Sequence, residues 1–183
     1  MKDIAKLGGI LFLIAAICAG LVGFVNEITK EPIERQKIEA KQEAMINVLP
    51  SADSFEEAEA NDEIEEVQIG SKDGEKVGYA LTVISKGYAD PIEIMVGITN
   101  EGVIEGIEIL ASNETPGLGD NASEPSFTDQ FKEKSTTLKV STSGASSDDE
   151  ISAITGATVT SVAITDGVNK AIEYVESQGG GAQ

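Results

Sequence analysis

The residues best suited to chemistry form a hydroxyl-rich turn, Thr155–Ser161 (TGATVTS), which precedes the last amphipathic segment of the chain. Gly156 lets the backbone approach a ligand closely, and the first N–H groups of a following helix favour an anion such as a phosphate. The same residues are also typical of an ordinary helix start, in which Thr158 or Thr160 caps the free N–H groups. For this turn taken alone, the cap is the favoured interpretation.

A second candidate site is the loop Asn113–Asp120 (NETPGLGD). Its proline and two glycines surround a single leucine, Leu118, so that the backbone and one apolar side chain can lie against a flat ring. An ordinary Gly/Pro turn after a strand has the same composition. For this loop taken alone, the ordinary turn is again favoured.

Few other residues offer chemistry. The 183-residue chain has no histidine, no tryptophan and one cysteine, Cys18, inside an apolar run. An internal disulfide is excluded, and we expect no metal site, iron–sulfur cluster or haem, because these need several Cys or His ligands. A redox role would therefore need an organic cofactor. The formal net charge of −19 repels nucleic acid, so we expect no nucleic-acid partner.

The first elements needed to position these loops are helical. Leu7–Val25 is an uncharged apolar run of 19 residues, which is long enough to cross a bilayer. A cleaved signal peptide is the alternative, but the run continues past the small residues near Cys18, and bulky Ile17 argues against a lipoprotein site. We therefore predict a cytoplasmic N-terminus over residues 1–6 and a single transmembrane helix over residues 7–25.

Residues 26–50 are predicted to form a tether helix. Thr29 followed by Pro32 is typical of an N-cap with an early-helix proline, and Pro50 ends the segment. The alternative, an amphipathic helix lying on the membrane, lacks a strong basic face. Basic residues are more numerous after the apolar run than before it, which by count alone places the rest of the chain in the cytoplasm. This count is a poor guide to the topology here, because large domains that follow a first membrane span are translocated largely regardless of their charge.

Residues 51–176 are predicted to form one domain with an antiparallel sheet. Alternation over 92–98 indicates a strand, Asn100-Glu101-Gly102 a hairpin turn, and 103–110 the returning strand. A neighbouring strand is predicted over 79–84.

The other segments complete an α+β fold with flanking helices. We predict a solvated loop or edge over 53–66, a short helix over 126–134, a polar link over 141–150 and a final helix from about Thr160 to Glu176. Residues 177–183 are predicted to form a flexible tail.

The two candidate loops together resemble a known pattern. Glu-Thr-Pro-Gly-Leu-Gly at 114–119, followed by Thr-Gly-Ala-Thr-Val-Thr-Ser at 155–161, resembles the FMN-binding domain of two kinds of complex. These are the Rnf electron transport complexes, where the domain is in the G subunit, and the Na⁺-translocating NADH:quinone reductase, where it is in the C subunit. The resemblance covers essentially the whole chain. The short length of the chain and its single N-terminal span are more similar to the Rnf G subunit than to the longer C subunit.

This resemblance implies covalently bound FMN. The last threonine of the family pattern Asp-x-x-Ser/Thr-Gly-Ala-Thr carries the flavin through a phosphoester bond, which a separate flavin transferase makes from FAD. That threonine corresponds to Thr158, while Ser152 stands where the pattern has Asp. Thr160 and Ser161 would donate hydrogen bonds to the phosphate. The other cofactor-binding residues implied by the resemblance are Thr155, Gly156, Ala157, Glu114, Thr115, Gly117, Leu118 and Gly119.

The function implied by the resemblance is that of an electron-transfer subunit of an ion-translocating ferredoxin:NAD⁺ oxidoreductase complex. The other Rnf subunits are then its partners, and no independent catalytic site is expected. The resemblance also places the soluble domain on the extracytoplasmic side of the cell (inner) membrane. Two alternatives remain: a related membrane-anchored flavoprotein such as the quinone-reductase C-type subunit, and a non-redox tethered binding module whose glycine loops are structural.

Overall fold

The computed structural model describes residues 2–179, and the chain separates into two compact units, Met1–Ala40 and Lys41–Gln183. The predicted flexible tail begins at Ser177, which belongs to the last helix. Residues 180–183 of that tail lie outside the described residues.

A single helix, α1 (Lys2–Val48), accounts for the described part of the first unit. By length and composition it is the one helix within residues 2–179 that is apolar enough to cross a membrane. The predicted helix start at Thr29 is wrong, because the Thr29 hydroxyl donates to the carbonyl oxygen of Val25 at 3.0 Å, inside the helix. Pro32 also lies within α1 rather than at its beginning.

The second unit contains a five-stranded antiparallel sheet whose strands lie side by side in chain order. They are β1 (Ser54–Ala58), β2 (Glu66–Lys72), β3 (Glu75–Lys86), β4 (Pro91–Thr99) and β5 (Ile104–Ala111). The α+β fold is confirmed, as is the predicted hairpin, in which Gly102 has a φ of 83°. The acid-rich segment 53–66 contains β1 at the edge of the sheet, while β2 was not predicted.

Short elements connect the sheet to the last helix. Helix α2 (Pro125–Thr128) continues as a 3₁₀ turn to Phe131 and is shorter than predicted. The predicted polar link is flanked by two short parallel strands, β6 (Lys139–Ser141) and β7 (Glu150–Ser152). Helix α3 (Thr158–Ser177) begins two residues earlier than predicted.

The two faces of the sheet pack against different helices. Buried apolar residues of α3 pack on one face, where a Cβ at Gly167 would lie 2.9 Å from Ile94 Cδ1. On the other face, the last turn of α1 packs against Ala80 and Met95. A Cβ at Gly97 would overlap the carbonyl oxygen of Val48, so glycine at this position allows the helix to approach the strand.

Lys41 joins α1 to this second face. Its Nζ lies 2.9 Å from Glu66 Oε2 and 3.1 Å from Glu93 Oε1, and the three side chains are 29–34% exposed. Burial lowers the pKa of Lys41, but hydrogen bonds to the two carboxylates outweigh it and leave the pKa raised. The bond from Lys41 holds the pKa of Glu66 below its ordinary value.

We expect Lys41→Met to lower the free energy of unfolding by about 0.5–1 kcal/mol at neutral pH, because the pair is partly screened by water. The depressed pKa of Glu66 adds stability above its unfolded pKa, and this is lost as the pH falls through the folded pKa. The difference in the free energy of unfolding between Lys41→Met and wild type should therefore become smaller at acidic pH. Urea unfolding at neutral and acidic pH measures it. Lys72→Met is the control, and an equal loss there would contradict the prediction.

Candidate functional site

The two motifs singled out in the sequence lie side by side around one cavity of about 330 Å³. Three segments form it: the turn between β3 and β4, the loop after β5, and the start of α3. The residues that line it are Tyr88, Glu114, Thr115, Leu118, Gly119, Gly156, Ala157, Val159 and Thr160. A site assembled from three segments is held by their mutual contacts.

A buried carboxylate, Glu114, makes those contacts. Its Oε1 accepts hydrogen bonds from the backbone N–H groups of Tyr88, at 2.8 Å, and Ala89, at 3.1 Å. Its Oε2 accepts one from Thr160 Oγ1 at 2.6 Å. The residue is only 6% exposed, so these donors replace the water that a carboxylate would otherwise need. Glu114 therefore cross-links all three segments of the site.

Two glycines make room for this carboxylate. A Cβ at Gly119 would lie 2.7 Å from Glu114 Oε2 and 2.8 Å from Thr160 Oγ1. A Cβ at Gly87 would overlap Glu114 Oε1. The second glycine of the 114–119 motif is thus required by the Glu114–Thr160 hydrogen bond, a reason that the sequence alone does not reveal.

The mouth of the cavity is apolar. Tyr88 is 72% exposed, Val159 54% and Leu118 43%, so all three present unpartnered apolar surface. Gly156, with a φ of 81°, lies under Leu118, and a Cβ there would be 3.1 Å from Leu118 Cδ2. This arrangement suits a flat apolar ring, which could cover these side chains.

Gly156→Ala should destabilise the protein by about 1 kcal/mol, because a left-handed φ is strained for alanine. It should also displace Leu118 and narrow the cavity. Gly144→Ala is the matched control, since Gly144 has a φ of 94° with nothing within 4 Å of the added Cβ. Urea unfolding should show similar losses for both variants, whereas only Gly156→Ala should reduce the loading of the flavin that the family resemblance implies. Equal flavin loading of the two variants would contradict the expectation that a flat ring lies against Leu118.

The hydroxyls of the 155–161 turn differ in their surroundings. Helix α3 has Ala157 at its N-cap with no side-chain capping bond, so the interpretation of Thr158 or Thr160 as caps is wrong. Thr160 is 1% exposed and donates to Glu114. Ser161 is fully buried, and its Oγ donates to the carbonyl oxygen of Ala157 at 3.0 Å. The hydroxyl protons of Thr160 and Ser161 are therefore both donated to acceptors within the protein, whereas from the sequence we expected them to be donated to a phosphate.

Thr158, in contrast, is exposed, and its hydroxyl makes no hydrogen bond to any residue that the structure describes. It lines a second groove of about 440 Å³, which shares Val159 with the cavity. We call this the lysine groove. Its lining residues are Ser85, Lys86, Thr158, Val159, Val162, Ala163, Asp166 and Lys170.

The remaining predicted residues are placed as follows. Thr155 and Gly117 are exposed and do not line the cavity. Ser152, in β7, accepts a hydrogen bond from the N–H of Ala145 at 2.8 Å. Tyr88 and Lys86 were not among the residues predicted from the sequence. The signal that could have indicated them is the Lys86-Gly87-Tyr88 turn directly after an alternating strand.

Two family models match the chain, and one of them covers both motifs. Residues 87–173 match the family model of the FMN-binding domain, and residues 1–48 match that of the RnfG N-terminal region. The fold is shared with two solved structures. The first is Shewanella oneidensis NqrC, with a TM-score of 0.52 and 18% sequence identity over 73% of this chain and 74% of that one. The second is the C subunit of the Na⁺-translocating NADH-quinone reductase from Parabacteroides distasonis, with a TM-score of 0.50 and 22% sequence identity over 60% of this chain and 62% of that one.

The relatives in sequence are G subunits of ion-translocating complexes. The chain is 40% identical to the G subunit of the Na⁺-translocating ferredoxin:NAD⁺ oxidoreductase complex of Acetobacterium woodii, over 96% of this chain and 93% of that one. It is 34% identical to the G subunit of the proton-translocating ferredoxin:NAD⁺ oxidoreductase complex of Clostridium ljungdahlii, over 88% of this chain and 85% of that one. It is 31% identical to the G subunit of the ion-translocating oxidoreductase complex of Methanosarcina acetivorans, over 98% of both. The chain therefore belongs to the RnfG family, the G subunits of the ion-translocating oxidoreductase complexes known as Rnf.

Proposed function

We propose that this protein is the electron-transfer subunit of an Rnf-type ferredoxin:NAD⁺ oxidoreductase complex and that it carries FMN in phosphoester linkage to Thr158. The observation that carries the proposal is the position of Thr158. It offers an exposed, unengaged hydroxyl at the start of α3, next to the cavity in which both family motifs meet. The related G subunits, which match over nearly the whole chain, support the assignment to this kind of complex.

The cavity fits the isoalloxazine ring of FMN in size and character. Its volume of about 330 Å³ lies at the lower end of the range typical of small-molecule sites. Tyr88, Leu118 and Val159 supply apolar surface at its mouth, and Thr115 supplies a polar group at its edge. FMN, when bound, would supply the one- and two-electron chemistry that the side chains lack. The protein would hold and orient it, and Glu114 would keep the three walls together.

Attachment of FMN requires an external enzyme. The Oγ of Thr158 would form a bond to the FMN phosphorus of FAD, the bond from that phosphorus to the bridging oxygen of AMP would break, and AMP would leave with the electron pair. The hydroxyl proton must pass to a base. The chain has no histidine, and a threonine hydroxyl is a weak nucleophile without an activating base. A flavin transferase is thus a required partner during maturation.

The membrane arrangement is part of the same proposal. Residues 7–25 would anchor the chain by a single pass, residues 26–50 would act as a tether, and the domain from residue 51 would lie outside the cytoplasm. Protease added to spheroplasts should then digest the domain without detergent. Digestion that requires opening of the membrane would place the domain in the cytoplasm.

The function is tested in an Rnf complex from which this subunit has been deleted. Ferredoxin-dependent NAD⁺ reduction by membranes should be lost, and it should return when the chain is co-expressed with the transferase. The chain expressed without the transferase should not restore activity. Rescue by the unflavinylated chain would contradict the role of FMN, and rescue of NADH-dependent quinone reduction in its place would indicate a C-type subunit.

A further inference from the structure

The lysine groove brings two lysines, Lys86 and Lys170, to the surface that also contains Thr158. Within residues 2–179, Lys41, Lys132 and Lys139 form ion pairs, while Lys76 lies 3.8 Å from the centre of the Tyr79 ring. Lys86 and Lys170 form no ion pair with any described residue, although acidic residues outnumber basic ones 32 to 13 in the chain. Both line the same groove as the exposed Thr158.

Of these two lysines, Lys170 is the less suited to meet a group attached to Thr158, although both line the groove. Lys170 is twelve residues further along α3, which corresponds to about 18 Å of helix and exceeds the reach of its side chain. Asp166 also lies between them along the helix and adds a negative charge. Lys86 belongs to β3, so it reaches the groove from a different element than Thr158 and is not separated from it by a length of α3.

The position of Lys86 is fixed relative to the first turn of α3. Lys86 is the last residue of β3, and the N–H groups of Tyr88 and Ala89 that follow it donate to Glu114. Glu114 in turn accepts a hydrogen bond from the hydroxyl of Thr160, which lies in the same first turn of α3 as Thr158. The backbone near Lys86 is therefore held by the same hydrogen bonds that hold the flavin cavity.

We propose that Lys86 binds the phosphate of the FMN linked to Thr158. This inference rests on the proposed function. A phosphodiester on Thr158 carries one negative charge, and an ammonium group in the same groove is a suitable point-charge partner for it. The lysine groove thus holds the phosphate, and the cavity that shares Val159 with it takes the ring. Lys86 is a cofactor-binding residue that lies outside both sequence motifs.

The test compares four proteins co-expressed with the flavin transferase: wild type, Lys86→Met, Lys86→Arg and Lys170→Met. Covalent flavin per protein is followed over time by in-gel fluorescence. We expect Lys86→Met to slow loading about threefold, as is typical of losing one partly exposed charge pair. Lys86→Arg keeps the positive charge and should load faster than Lys86→Met, and Lys170→Met should load at the wild-type rate. Urea unfolding of the unloaded proteins checks that Lys86→Met folds as stably as wild type.

A second readout uses the loaded proteins. Fluorescence anisotropy decay of the attached flavin should show a larger fast component in Lys86→Met than in wild type, because the phosphate is no longer held. Wild-type loading and anisotropy in Lys86→Met would overturn the proposal. Equal defects in Lys86→Met and Lys170→Met would also overturn it, since they would indicate a general charge effect. Absence of flavin from the wild type would instead refute the proposed function.

Discussion

Thr158→Ala should abolish covalent flavin, whereas Thr155→Ala should retain it. The turn offers four hydroxyls, and the structure removes two of them as attachment points: Thr160 and Ser161 are buried and engaged in hydrogen bonds within the protein. Thr155 and Thr158 are both exposed, so exposure does not distinguish between them. Between them, Thr158 lies at the first position of α3 and matches the last threonine of the family pattern.

The measurement is the flavin fluorescence of the denatured protein after co-expression with the transferase, together with its intact mass. Thr158→Ala should show no fluorescent band and no added mass. Thr158→Ser keeps a hydroxyl at the same position and should retain part of the label. Thr155→Ala is the matched control for loss of one accessible threonine hydroxyl. Labelling that survives Thr158→Ala and disappears in Thr155→Ala would move the attachment to Thr155.

The sheet shows which parts of the fold were accessible from the sequence. Strand β4 alternates buried isoleucine and valine with other residues, and an Asn-Glu-Gly turn follows it, so the β4–β5 hairpin was predicted from local pattern alone. Strand β1 lies at the edge of the sheet, and its glutamates remain exposed. It therefore lacks the apolar alternation that identifies a half-buried strand, and it resembles a solvated loop in sequence.

The error at Thr29 has a different cause. A threonine ahead of a proline is typical of a helix start, but the pattern does not show whether the preceding residues are already helical. Here they are, and the Thr29 hydroxyl donates back to the carbonyl of Val25. Local sequence signals thus identified the type of structure correctly and misplaced its boundary.

The site was predictable in its motifs but not in its bonding. Both loops could be selected by residue type and order, yet the donors to Glu114 come from Tyr88 and Ala89, 26 and 25 residues earlier, and from Thr160, 46 residues later. Such pairings depend on how the sheet and α3 pack. The assignment of Glu114 to cofactor binding stays a prediction, and the structure adds a structural role in the same site that the sequence did not indicate.

That role leads to a large expected effect on stability. Glu114→Leu should lower the free energy of unfolding by about 2–4 kcal/mol, because two backbone N–H groups and the Thr160 hydroxyl lose their charged acceptor in a buried position. Glu114→Gln should cost less, about 1 kcal/mol. Its carbonyl oxygen can still accept from Tyr88 and Ala89, and Thr160 can turn its hydroxyl to accept from the new amide.

Urea unfolding of the full-length protein in detergent measures these losses, and covalent flavin loading reports on the site. Glu173→Leu and Glu173→Gln are the matched controls, since Glu173 is exposed on α3. If Glu114 acts by cross-linking the segments, loading should fall in the same order as stability, with the leucine variant lower than the glutamine variant. A glutamine variant as stable as wild type but without flavin would show that the charge of Glu114 is needed by the cofactor or the transferase. A leucine variant with wild-type stability would contradict the cross-link itself.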